Sequence, residues 1–445
     1  PSVSNCRPLP VIIKTAKMKK LSSTILFFLL FVTIAYPQEM TLKEQALEEF
    51  KKEHYNKAID LLKKALSESP NDAEIYYYLG WFNHYRAYDS RPLKGYDNSY
   101  SEQIFKYLDK ALELDPNYGD AKYFYGAQCS GNAFIAMQNY DADKLNYFYQ
   151  RAYDKGAYPN WLIEFGKNLL SSCDLNAILF AGGNADFDIC SYLQLCENFR
   201  TDITVIPIGN IDRPWYVRFL KNGLKDGVRK IEINLTDQQI MDIHPFKWDT
   251  TVVSIQVSLL DKKQFGLSDD YQLNWEVFPD LFSERMHSKI EGEIAKARTY
   301  LSPQRAILLQ IVEDNFAERP IYFSNFASPT FYGGLDNYFQ NCGLVSKLLP
   351  IKTNNNNHTV DESKLETLIF ADNFGNYKTI KEKNIPRISG VVMSGYSNAF
   401  LILADIYKES EKKEKLKLLI KIYEEKMQVN FNSEYETQII NELKK

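Results

Sequence analysis

The stretch Ala177-Ile178-Leu179-Phe180-Ala181-Gly182-Gly183-Asn184-Ala185-Asp186-Phe187 is an unbroken apolar run that stops at two glycines and then opens a segment of helical spacing. Consecutive apolar residues bounded by glycine read as a strand buried on both faces, the habit of parallel strands covered by helices. Helical spacing continues over 187–199, and Ile203-Thr204-Val205-Ile206-Pro207-Ile208 is a second run of the same kind. Strand, helix, strand in this order predicts a parallel pair, because parallel neighbours need a long crossover. Further on, 215–224 and 305–315 have helical spacing, while 252–257, 320–324 and 344–351 read as strands. The expectation is a layered α/β domain over 173–390 with a mostly parallel sheet.

Upstream of that domain the period becomes helical throughout. Tyr55-Asn56-Lys57-Ala58-Ile59-Asp60-Leu61-Leu62-Lys63-Lys64-Ala65-Leu66 ends at Ser69-Pro70-Asn71. Ile104, Leu108, Ala111 and Leu112 before Asp115-Pro116-Asn117 repeat this register, and Leu145, Tyr149 and Ala152 before Tyr158-Pro159 repeat it more loosely. Each later block follows a helix that carries a bulky and a small residue, Tyr78-Leu79-Gly80-Trp81 and Phe124-Tyr125-Gly126-Ala127. Small residues at such points let two helices approach closely. Ala58, Ala65, Pro70, Gly80, Ala111, Pro116 and Gly126 together resemble the tetratricopeptide repeat, TPR, a stack of antiparallel helix pairs. That resemblance implies a concave face able to hold a protein or peptide partner. The interval from Pro70 to Pro116 exceeds the usual period of about 34 residues, which predicts an insertion over 86–101. At the other end, Phe400, Leu403, Ala404 and Tyr407, then Leu416, Leu419, Ile420 and Tyr423, predict an amphipathic helical hairpin.

The fold class read from these patterns is α + α/β, with TPR-like helical repeats over 38–172, the α/β domain over 173–390 and a C-terminal helical hairpin over 391–445. Residues 1–37 read as an upstream segment and a cleavable signal peptide starting at Met18, with Lys19-Lys20 ahead of a short apolar core over 25–35. No cysteine directly follows that core to accept a lipid, so the expectation is a periplasmic or secreted protein with no stable membrane span after leader removal.

A second resemblance rests on Ile178 to Phe187, Tyr192-Leu193-Gln194, Phe199-Arg200-Thr201-Asp202-Ile203, Pro214-Trp215-Tyr216, Arg319-Pro320-Ile321-Tyr322-Phe323 and the run from Gly343 to Ile351. These segments resemble the soluble C-terminal domain of an uncharacterised bacterial family of multi-spanning, glycosyltransferase-like membrane proteins. In that family the first loop carries two aspartates around an asparagine. Here Gly183, Asn184, Ala185 and Asp186 occupy the loop, so at least one carboxylate is lost and a hard cation would find few oxygens.

Composition narrows the functional classes. Apolar residues at 45% and charged residues at 25% are those of a folded globular chain, which excludes wholesale disorder. The net charge of −4 disfavours nucleic acid as a partner, the more so because residues 1–37 hold five basic groups and no acid. His54, His84, His244, His287 and His358 fall in separate segments, and Cys129, Cys173, Cys190, Cys196 and Cys342 show no metal spacing, so no metal site is predicted and mostly free buried thiols are expected. No catalytic residue and no cofactor is assigned. The candidate ligand-binding residues are Gly182, Gly183, Asn184 and Asp186, at a strand end where α/β sheets take ligands, with Arg213, Trp215 and Tyr216 as a stacking platform. For Asp186 the competing reading is a cap on the following helix. The sequence therefore supports a non-catalytic exported TPR-containing adaptor or assembly protein of the bacterial cell envelope. The alternative is an enzyme or ligand-binding protein of envelope glycan metabolism with its site at Gly182 to Asp186.

Overall fold

The computed structural model describes residues 40–87, 97–224, 227–280, 299–353, 359–370, 375, 377, 388–427 and 433–445. The predicted leader, most of the predicted insertion, His287 and His358 lie outside the described residues.

Among the described residues seven α-helices come first, α1 Leu42–Lys51, α2 Tyr55–Glu68, α3 Ala73–Ala87, α4 Ser101–Leu114, α5 Gly119–Gln138, α6 Ala142–Asp154 and α7 Asn160–Ser171. Thr41 and Glu44 close a capping box at the start of α1, satisfying donors that a helix end otherwise leaves open. Ala58, Ile59, Leu62 and Ala65 make up the buried face of α2. Pro70 and Pro116 follow the ends of α2 and α4, as expected of residues that cannot continue a helix. The helices pack as hairpins, α1 on α2, α3 on α4 and α5 on α6. Glycines set the closeness of these contacts. A Cβ on Gly80 would meet Leu108 of α4, and one on Gly126 would meet Ala157 just beyond α6. The buried residues of α1 to α3, including Ala46, Ala58, Leu62, Leu79 and Phe82, form a cluster of their own.

The same device continues into the sheet. Gly166 of α7 lies against Ile189 and Leu193 of α8, Asn184–Leu195. Helix α8 thus takes beside α7 the place that α4 takes beside α3, while also serving as the crossover between the first two strands. A single apolar core runs from Tyr77 through the sheet to Leu443.

The main sheet has five strands in the order β2-β1-β7-β9-β8. They are β1 Ile178–Ala181, β2 Thr204–Pro207, β7 Ile321–Ser324, β8 Phe339–Asn341 and β9 Val345–Leu348. β1 runs parallel to β2 and β7, with Leu179 opposite Val205 and Tyr322. Every residue of these three strands is buried, in keeping with their largely apolar sequences. β9 is antiparallel to β7 and β8, because 342–344 is too short for a crossover. The strand expected over 252–257 is β4, Thr251–Gln256, which stands outside the main sheet as an antiparallel ribbon with β5, Gln272–Val277. Val253 and Ile255 turn to its covered side while Val252, Ser254 and Gln256 are exposed, a pattern for one covered face rather than two. β3, Phe246–Lys247, pairs with β6, Tyr300–Leu301, in a second small ribbon.

The remaining helices are α9 Pro214–Asn222, α10 Asp237–Met241, α11 Leu259–Phe265, α12 Pro303–Asn315, α13 Glu362–Phe370, α14 Ser389–Glu409, α15 Lys413–Lys426 and α16 Ser433–Lys444. The predicted C-terminal hairpin is α14 with α15, to which α16 adds a third helix. Among the described residues α14 alone is long and apolar enough to cross a membrane, yet half of its apolar stretch is buried inside the fold.

Candidate functional site

Two of the sequence-predicted groups come together at one edge of the sheet. Gly182 to Asp186 follow β1 and Arg213 to Tyr216 follow β2, and because the strands are parallel neighbours both loops leave by the carboxyl edge.

The β1 loop is closed. The Asp186 carboxylate is 2% exposed and accepts from the Gly182 nitrogen at 2.7 Å, the Gly183 nitrogen at 2.9 Å and the Phe187 nitrogen at 3.2 Å. Burial pushes its pKa up, while these backbone donors and Ser324 oppose that shift. Such a carboxylate has its lone pairs committed to turning the chain from strand to helix. A Cβ on Gly182 would collide with the backbone of Phe326 and Ala327, so the loops after β1 and β7 touch with nothing between them. The Phe326 ring continues inward against Phe165 at 5.3 Å and beneath Gly395 of α14. The crevice at the switch point between β1 and β7, where open α/β sheets bind ligands, is therefore filled by a side chain. Gly183 has free space around it and Asn184 is exposed at the start of α8.

The β2 loop is different. The strand ends in the turn Ile208–Asn210, whose Ile208 and Asn210 are buried while Gly209 is exposed, and then Ile211-Asp212-Arg213 leads into α9. Asn210 and Arg213 are buried at 7% and 6% exposure. Asp212 is half-buried, its pKa raised by burial against the opposing pull of Arg213, whose Nε stands 3.9 Å away. α12 packs on the 208–210 turn. The same helix carries Arg305, which pairs through Nη1 with Asp280 at 3.2 Å. Asn210 Nδ2, Asp212 Oδ1 and Arg305 Nε are buried and meet no hydrogen-bond partner among the described residues. Trp215 is half-buried, 6.3 Å from Phe134, whereas Tyr216 is a core residue with its phenol pushed far up by burial. The sequence reading named Arg213 but missed Asn210, Asp212 and Arg305. The legible signal was the run Asn210-Ile211-Asp212-Arg213, three of its four residues polar, closely behind a largely apolar strand.

Other residues that carried the second resemblance are structural. Arg200 donates to the carbonyls of Leu170, Cys173 and Asp174 and pairs with Asp202 at 2.8 Å. Gln194 Nε2 donates to the carbonyls of Arg200 and Ile203. Arg319 donates to the Asn176 and Ala177 carbonyls and to Thr204 Oγ1. These groups tie down the amino edge of the sheet, opposite the candidate loops.

A third feature lies in the helical array. Tyr78, Trp81 and Tyr85 stand on one side of α3, all half-buried. Phe50 of α1 reaches Trp81 at 5.1 Å and Tyr85 at 5.5 Å, and Phe124 of α5 reaches Trp81 at 5.3 Å. Beside them His84 Nδ1 is 3.0 Å from Gln128 Oε1, its pKa lowered by burial.

The five described cysteines are free thiols, and among the described residues no group of three or more His, Cys, Asp or Glu is placed to hold a metal ion. Residues 162–277 and 276–367 match the family model described as TMEM260-associated domain 2, a match that begins inside α7 and takes in the whole sheet. No curated protein matches the chain.

Proposed function

We propose that this chain is an exported, non-catalytic interaction protein of the bacterial cell envelope, whose hairpins are tetratricopeptide-like and hold an extended peptide or a partner's helix. The observation that carries this reading is the half-buried aromatic stripe Tyr78, Trp81 and Tyr85 on α3, continued by Phe50 of α1 and backed by the buried Phe124 of α5. Large, half-covered rings offer contact area at low entropic cost, the usual make-up of protein-binding hot spots. The small residues Ala58, Ala65, Gly80, Ala111 and Gly126 at the helix crossings support the repeat assignment. The closed β1 loop favours this reading over a glycan site at Gly182 to Asp186.

Peptide-display selection against the purified protein tests the proposal. Selected peptides are expected to bind the variant carrying Trp81→Ala and Tyr85→Ala about tenfold more weakly, the cost of losing a hot-spot pair, and to bind Asp186→Asn unchanged. Equal binding by the double variant, or no enrichment at all, would overturn it.

A further inference from the structure

We propose a second site, at the carboxyl end of β2, in which Asn210, Asp212, Arg213 and Arg305 take a small anion that carries neighbouring hydroxyl groups, of the sugar-acid or sugar-phosphate type. The inference is independent of the aromatic face on α3.

Position is the first support. Ligands of layered α/β folds lie outside the carboxyl ends of parallel strands. Of the two such loops that the sequence singled out, the one after β1 is sealed by Asp186 and Phe326, whereas the one after β2 carries the polar run. Buried polar atoms without partners are the second support. Native folds leave few of them, because a donor or acceptor that gives up water and gains no partner is costly. Here Asn210 Nδ2, Asp212 Oδ1 and Arg305 Nε, on two neighbouring elements, share that condition among the described residues. Asn210 is more than nine-tenths buried.

The chemistry of the group sets the ligand class. An amide nitrogen and guanidinium nitrogens donate, so they call for acceptor oxygens, and a planar fork suits a carboxylate or phosphate. Asp212 only accepts when ionised, so it calls for a hydroxyl donor on the same molecule. Arg305 keeps its Nη1 on Asp280 and offers Nε. Trp215 at the head of α9 supplies an apolar surface of the kind that sugar rings lie against. A bare anion leaves Asp212 Oδ1 without a donor, and a neutral sugar leaves the charge of Arg305 Nε without an anionic acceptor.

Titration calorimetry of the full chain with glucuronate, a hexose phosphate, inorganic phosphate and glucose tests the site. The result expected is binding of glucuronate or the hexose phosphate, which of the two distinguishing the carboxylate from the phosphate source, with inorganic phosphate and glucose far weaker. Asn210→Leu and Arg305→Lys should each weaken binding about tenfold or more, the loss of a hydrogen bond to a charged group. A thermal melt of each variant without ligand separates lost binding from lost folding. Should Asn210→Leu unfold the protein, Arg305→Lys and Asp212→Asn still carry the test. Absence of binding by all four probes, inorganic phosphate binding as tightly as the hexose phosphate, or folded variants that bind like the wild type would overturn the proposal.

Discussion

Ser130 Oγ of α5 donates to Asp188 Oδ1 of α8 at 2.6 Å, so one buried carboxyl is shared between the helical array and the crossover helix of the sheet. Tyr149 of α6 adds its hydroxyl at 3.4 Å. Burial pushes the Asp188 pKa up to about 7, with the hydroxyls of Ser130 and Tyr149 pulling the other way and Asp186 adding a smaller push upward. An unfolded chain holds an aspartate near 4. Between about pH 4 and 7 the folded protein therefore keeps a proton that the unfolded chain has released, and stability falls as the pH rises through that window. Chemical denaturation at pH 5 and pH 8 should show the loss, on the order of a few kcal/mol. Asp188→Asn keeps an acceptor for Ser130 and should flatten the slope. An unchanged slope would place the titration elsewhere.

Adjacent glycines in the β1 loop should respond in opposite ways to the same change. Gly182→Ala drives a Cβ into the backbone of Phe326 and Ala327, which cannot yield without moving β7, and about 2–4 kcal/mol of stability should be lost. Gly183→Ala adds a methyl group where nothing lies within 4 Å, so its effect should stay within about 0.5 kcal/mol. Thermal melts of the two variants decide the matter. Equal losses would mean that the loop is strained throughout rather than crowded at one atom.

How much of this was legible depended on whether the signal was local. The three parallel strands could be read because burial on both faces leaves mostly apolar residues in Ile178-Leu179-Phe180-Ala181, Thr204-Val205-Ile206-Pro207 and Ile321-Tyr322-Phe323-Ser324, with Thr204 and Ser324 at the strand ends as the polar exceptions. The hairpins could be read from small residues at helical spacing. Strand β5 and the separate ribbon it makes with β4 were not legible, since an alternating run does not say which partner it joins. Asp186 was named as a residue, with both a ligand and a cap in view, but only the folded chain shows its oxygens meeting Gly182 and Gly183. Asn210 and Arg305 lie far apart in sequence and stand on neighbouring elements only because α12 packs on the 208–210 turn. No local pattern announces such a pair.

Arg319 is expected to act as a staple rather than as a binding residue. Its guanidinium is 8% exposed and closes on Asn176 O at 2.8 Å, Ala177 O at 2.9 Å and Thr204 Oγ1 at 2.9 Å, holding β7 against the starts of β1 and β2. Arg319→Met keeps the stem and removes the donors, leaving buried acceptors unmet at a cost of about 2–4 kcal/mol. Peptide and ligand affinities of the folded variant should not change. A variant with full stability and altered affinity would contradict the staple.

Gly166 of α7 admits Ile189 and Leu193 of α8, and this contact predicts how the chain comes apart. α7 ends at Ser171, immediately before the boundary expected from sequence, yet Phe165, Leu169 and Leu170 on it are buried in the core that runs on through the sheet. Chain ending at residue 172 would leave those side chains facing water with no second helix to cover them, so that fragment should bind a hydrophobic dye and melt below the intact protein. Extension to residue 199 restores α8 but leaves β1 without β7, and should not restore the melting point. In the intact protein the array and the sheet should then unfold together through their shared core. The first hairpin is the exception. Ala46, Ala58, Ile59, Leu62 and Ala65 belong to a separate cluster that closes on α3, so α1 and α2 can open while the rest holds. Hydrogen exchange read by mass spectrometry should find their amides exchanging well before those of α7, α8 and β1. Simultaneous exchange of all of them would show that the small cluster is no weaker than the large one.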